Sequence, residues 1–196
     1  MTNSPLRPSV AITEPDRPRC WIGSLAAYNG SHDGVPRLIG EWYDATEAGE
    51  VTVADLHKGT GVPFDPDDEL WVMDLDGTWP VQVEMGPTTA AKWGEIYDEV
   101  GATAWPALCA WVRSGAYIAE GDTDYPVLSD FEERFVGEWG SFDEYATELA
   151  EDIGLLRDMP EQLQAYFDWA SWIRDLRFDY SVEDAPGGGV FVFRDL

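Results

Sequence analysis

The chain sets 38 acidic side chains against 12 Lys and Arg, a formal charge of −26 on 196 residues, so any fold it adopts must leave most carboxylates in water. Self-repulsion on this scale opposes a compact state. Yet 44% of the residues are hydrophobic, and the chain holds 10 Trp, 8 Tyr and 8 Phe, unlike a disordered acidic tail. The sequence therefore reads as a folded polyanion.

The charge is unevenly placed. Residues 1–60 hold eight acids and five bases, residues 61–130 fourteen and two, and residues 131–196 sixteen and five. Between Asp65 and Glu133 the only cations are Lys92 and Arg113, so most carboxylates there have no salt-bridge partner within the segment. They must face water, metal ions or a cationic partner. Such a surface repels nucleic acid and anionic lipid and attracts the proteins that bind them. Halophilic or general acidic adaptation gives the same composition, and on charge alone it stays open.

Much familiar chemistry is missing. No apolar run is long enough to cross a membrane, and the basic N-terminal end lacks the apolar stretch of a secretory signal, so a soluble, cytoplasmic protein is expected. Cys20 and Cys109 are too few and too far apart for a disulfide framework or a CxxC zinc site, and read as buried thiols. His32 and His57 lack neighbouring ligands and are expected at the surface or as caps. The run Gly187-Gly188-Gly189 lacks the Lys-Ser/Thr of a phosphate loop and reads as a turn. The clusters Asp65-Pro66-Asp67-Asp68-Glu69, Asp74-Leu75-Asp76-Gly77 and Asp122-Thr123-Asp124 invite a calcium reading, but none reproduces the EF-hand spacing. With so many acids, some pair always suits glycoside hydrolysis, so the count says nothing about it. No catalytic residue, metal ligand or cofactor is assigned.

Residues 1–18, with four prolines and no periodicity, read as a flexible leader. Strands are expected at 19–23, 40–44 and 69–74, a loop at 29–36 and a short helix at 51–58, giving a small α+β unit. Beyond Pro87, Trp93, Ile96, Tyr97 and Val100 recur on one helix face while Glu95, Asp98 and Glu99 fall on the other. A second helix starts near Trp105, with Pro106 in its first turn and Leu108, Trp111 and Val112 inward; residues 87–128 form a compact helical segment whose Trp residues read as core. Residues 132–137 are expected as a strand. Ser141 and Glu144 form an S-x-x-E capping box that opens the clearest helix of the chain. Phe142, Tyr145, Ala146, Leu149 and Ile153 make its apolar stripe, and Glu144, Glu148, Glu151 and Asp152 an acidic one. Five acids from Asp143 to Asp152 lie along roughly 15 Å of helix, about one charge per 3 Å, against one phosphate per ~3.4 Å along a DNA strand. Pro160 is expected to open a further helix with Leu163, Tyr166, Phe167, Ala170 and Ile173 inward, followed by a closing hairpin of 178–182 and 190–193.

These segments resemble a known family, the ArdA antirestriction proteins. The resemblance rests on WIGSLAAYN (residues 21–29), GEWYD (40–44), the helix entry SFDEYA (141–146), YFDWA (166–170), RDL (174–176) and the terminal VFVF (190–193). It implies an elongated α+β chain of three small domains that dimerises through the last of them. It also implies a mimic of B-DNA that fills the DNA groove of Type I restriction-modification enzymes, the methyltransferase core included, and protects incoming mobile DNA without catalysis. The chain departs from the family in its Pro-rich leader and in a longer loop at 31–37, and the family's acidic motif maps loosely onto 142–156.

The expected domains are a leader (1–18), an N-terminal α+β domain (19–78), a central helical domain (79–129) and a C-terminal α+β domain (130–196). A homodimer with no direct nucleic-acid or membrane binding is expected. The expected partner-facing acids are Asp65, Asp67, Asp68, Glu69, Asp74, Asp76, Glu95, Asp98, Glu99, Glu120, Asp122, Asp124, Glu132, Glu133, Glu138, Asp143, Glu144, Glu148, Glu151 and Asp152. Rival readings are an acidic binder of another DNA-binding protein (a nucleoid protein, repressor or repair enzyme), and a carboxylate-based glycan hydrolase.

Overall fold

The computed structural model describes residues 17–195. It is α+β, with two small three-stranded antiparallel sheets. Contacts divide it into two compact units: the first holds the described residues up to Gly77 together with Met85–Tyr97, and the second holds Thr78–Glu84 and the chain from Asp98 onward.

In the first unit β1 (Arg19–Ser24) is central, flanked by β2 (Gly40–Asp44) and β3 (Leu70–Asp76). Cys20 and Ile22 are fully buried on one face. On the other face the Trp21 indole lies across the cross-strand pair Gly23 and Gly40, where any Cβ would collide with it. Ser24 then caps α1 (Leu25–Asn29), its Oγ accepting the Ala27 N–H at 3.2 Å, and Gly30 at φ +65° closes it. Thr52 and Asp55 form a reciprocal capping box on α2 (Val53–His57), a signal the sequence reading passed over. The next helix, α3 (Pro87–Val100), buries Ala90, Trp93, Ile96 and Tyr97, as its periodicity predicts. The Gly94 backbone packs straight onto a 3-10 turn (Ala45–Glu50).

The second unit holds α4 (Trp105–Ser114), α5 (Leu128–Arg134), β4 (Phe135–Trp139), α6 (Phe142–Asp152), α7 (Glu161–Gln164), α8 (Trp169–Leu176), β5 (Tyr180–Asp184) and β6 (Val190–Arg194). Its sheet runs β4-β6-β5, so β6 is paired on both edges. Both faces of β6 are covered too: Val192 packs with Phe142, Tyr145 and Ala146, while Phe193 stacks on Trp111 at 6.1 Å and meets Phe131 and Phe135. This double burial accounts for the unbroken apolar run VFVF. Trp93, Trp105 and Trp111 are core, as expected, and Trp79 is buried as well.

Several expectations need correction. The fold already includes Arg17 and Pro18: Pro18 is buried and Arg17 pairs with Asp44 at 3.3 Å; the rest of the expected leader, 1–16, lies outside the described residues. His57 is a core residue, 4% exposed against the Phe64 ring, because α2 turns its C-terminal side inward. The strand expected at 132–137 begins only at Phe135, since residues 128–134 complete a helix turn that buries Phe131. Ile153 lies past the end of α6 and is exposed, and Ala150 takes the inward position instead. The single helix expected after Pro160 is two. Asp168 caps a fresh start, its Oδ1 accepting the Ser171 N–H at 3.0 Å, and Leu163, Tyr166 and Ala170 are left exposed. The central helices also divide: α3 up to Tyr97 belongs with the first unit and α4 with the second.

Candidate partner-binding acidic surface

Helix α6 assembles the most coherent part of the surface. Ser141 Oγ accepts the Glu144 N–H at 3.1 Å and fixes the start of the helix. Phe142, Tyr145, Ala146 and Ala150 are drawn into the core, which commits the opposite side to solvent. That side carries Asp143, Glu144, Glu148, Glu151 and Asp152, all exposed. Gly154 at φ +66° ends the helix: its N–H donates to Glu151 O at 3.0 Å, and the Leu155 N–H donates to Ala150 O at 2.8 Å.

Asp143, Glu144, Glu148 and Glu151 line one open depression together with Thr147. Thr147 was not foreseen, although its position four residues after Asp143 places it on that face. Among the described residues no Lys, Arg or His pairs with any of the five α6 acids. Asp143 and Glu144 suit the positive end of the helix dipole, but Glu151 and Asp152 sit at its negative end. The pairs Glu144/Glu148 and Glu148/Asp152, each four residues apart, repel by a few tenths of a kcal/mol. Helix stability does not explain this stripe.

The remaining predicted acids are less uniform. Asp65, Asp67 and Glu69 are exposed on the turn before β3, but Asp68 is turned inward. Its Oδ2 accepts the Asp65 N–H at 2.8 Å and lies 2.6 Å from His32 Nε2. The Asp65 N–H first, and then His32, hold the Asp68 carboxyl below its usual value. His32 is thus a clasp between two loops. Asp74 and Asp76 project from β3, the latter 3.9 Å from Arg19. Glu95 pairs with Lys92 at 3.0 Å, while Asp98 and Glu99 follow on the exposed side of α3. Glu120, Asp122 and Asp124 are exposed on the turn bridged by Ala119 and Pro126, Glu132 and Glu133 on α5, and Glu138 on β4. Of the twenty, only Asp68 is withheld from solvent.

Among the described residues no group of three or more His, Cys, Asp or Glu is placed to hold a metal ion, and no helix is long and apolar enough to cross a membrane. Cys20 is buried and its thiol is pushed up to about 12, chiefly by that burial and then by Asp44, which leaves it unreactive as a nucleophile. A family model described as antirestriction protein (ArdA) matches residues 20–191. A search of curated proteins found no match to the chain.

Proposed function

The chain belongs to the ArdA antirestriction family, and from that membership we propose that it is a B-DNA mimic whose carboxylates occupy the DNA groove of Type I restriction-modification enzymes and block restriction of incoming mobile DNA. The observation that carries this reading is the α6 stripe, five exposed acids without a cationic partner among the described residues, spaced against the interests of their own helix. Their pitch of about 3 Å per charge is close to the ~3.4 Å per phosphate of a DNA strand. No bond is made or broken; inhibition is occupancy.

A homodimer belongs to the same proposal. Tyr166 and Phe178 are 84% and 80% exposed, with Leu163 at 54%, apolar side chains suited to a second copy. Two chains carry about −52, the charge of ~26 base pairs. The test is displacement of labelled duplex from a purified Type I methyltransferase core at several salt concentrations. Stoichiometric displacement that weakens with salt is expected. No displacement at low salt would redirect the acidic surface to another basic DNA-binding protein.

A further inference from the structure

Resting on the DNA-mimic reading, we propose that the depression at the C-terminal end of α6, built around Arg157, is a register site that receives a carboxylate side chain from the same protein whose basic surface covers the α6 acids.

Arg157 stands by the acids at the end of α6 with no ion pair among the described residues, whereas six other cations have one. Arg17, Arg19, Arg37, Arg134 and Arg174 each pair with a carboxylate, as does Lys92. Arg157 pairs with none among the described residues, although Asp158 follows it directly and Glu151 lines the same depression. Its guanidinium instead lies over Gly154, where an added Cβ would stand 2.9 Å from Cζ, Nε and Nη2. The turn that ends α6 places the Arg157 backbone, its N–H donating to Gly154 O at 2.9 Å. The walls are built as well. Gln164 Nε2 donates to Leu156 O at 3.3 Å and Met159 O at 3.0 Å, and the Trp169 indole and Leu156 supply an apolar side.

Glu151 lines both this depression and the acidic one, so a partner lying along α6 reaches Arg157 without a gap. A uniform row of carboxylates attracts any basic groove and, like DNA phosphates, fixes neither register nor identity. One reversed charge at the end of the row supplies both, because only a partner with an acid at that spacing gains from it. A guanidinium takes a carboxylate through two parallel N–H bonds, and the exposed Arg157 leaves that fork open to an arriving side chain. The surrounding acids repel a free anion. The carboxylate must therefore arrive on a protein already held by α6.

The experiment is the same competition titration, run with wild type, Arg157→Ala and Arg157→Lys, alongside thermal unfolding of each chain. A mimic in which Arg157 merely dilutes the charge binds tighter when Arg157 is removed. A register site loses about tenfold on Arg157→Ala, and Arg157→Lys, which keeps the charge but not the fork, loses about threefold. Unchanged or tighter binding of Arg157→Ala overturns the site while leaving mimicry intact. If Arg157→Ala does not fold, wild-type affinity in Arg157→Lys overturns it instead. A wild-type chain that displaces no DNA overturns the mimic reading and this site with it.

Discussion

Gly94 occupies a helix position where most residues would serve, yet a Cβ there would run into the backbone of Ala45 and Thr46. Backbone cannot move aside as a flexible side-chain tip can, so Gly94→Ala is expected to destabilise by about 1–3 kcal/mol despite the better helix propensity of Ala. Gly86→Ala, which meets nothing within 4 Å, is the control, and urea unfolding of the two variants is the measurement. Asp68 supplies a pH test. Its folded carboxyl is held below the ordinary value by the Asp65 N–H and then by His32. A depressed acid contributes stability above its unfolded value and loses it as pH falls through the folded one. The stability gap between wild type and Asp68→Ala should therefore be full near pH 6 and close below about pH 4; a gap that widens with acid would refute the clasp. Nothing in the sequence marks Asp68 apart from Asp67, because the distinction depends on the turn that brings the Asp65 N–H onto its carboxyl and on His32, thirty-six positions away.

Elements were legible in proportion to how locally they are determined. Helix α6 could be read from Ser141, its apolar period and its acids, because cap, stripe and charge lie within one stretch. The break at 165–168 could not, since the apolar period continues through Tyr166 and Phe167, and only the Asp168 cap and the solvent exposure of Tyr166 show that the chain restarts there. His57 failed for a similar reason, as its burial comes from Phe64 and the turn after α2. The candidate surface was legible as composition, but not which acids are spent on internal pairs: Glu95 goes to Lys92, and Asp130, never a candidate, to Arg134 at 2.8 Å. The α6 stripe predicts effects of opposite sign. Glu148→Gln with Asp152→Asn removes like-charge pairs and a clash with the dipole, so the chain should gain about 0.5–1 kcal/mol in thermal or urea unfolding while displacing DNA less well. One neutralised acid should hardly change inhibition, and five on this face should weaken it stepwise. Abolition by a single acid-to-amide change in a folded chain would mean a discrete site.

A charge of −26 on one chain acts on folding and on binding through the same screening, but in opposite directions. Raising salt from about 0.05 to 0.5 M shortens the Debye length from roughly 14 to 4 Å. Self-repulsion among the exposed carboxylates then fades, and the unfolding temperature should rise. Binding to a basic groove depends on long-range attraction and on release of counterions from both surfaces, so affinity should fall steeply over the same range, as protein–DNA affinity does. Halophilic adaptation shares the first trend and not the second, because it requires no partner. The distribution of charge bears on the choice, since the first sixty residues are nearly balanced while the rest holds the excess, where adaptation to brine would spread acid over every exposed stretch. Measuring unfolding temperature and DNA displacement in one salt series separates the two: trends that diverge support a surface made for a basic groove, whereas stability that rises with salt while displacement stays absent throughout would leave the acid to solvation alone.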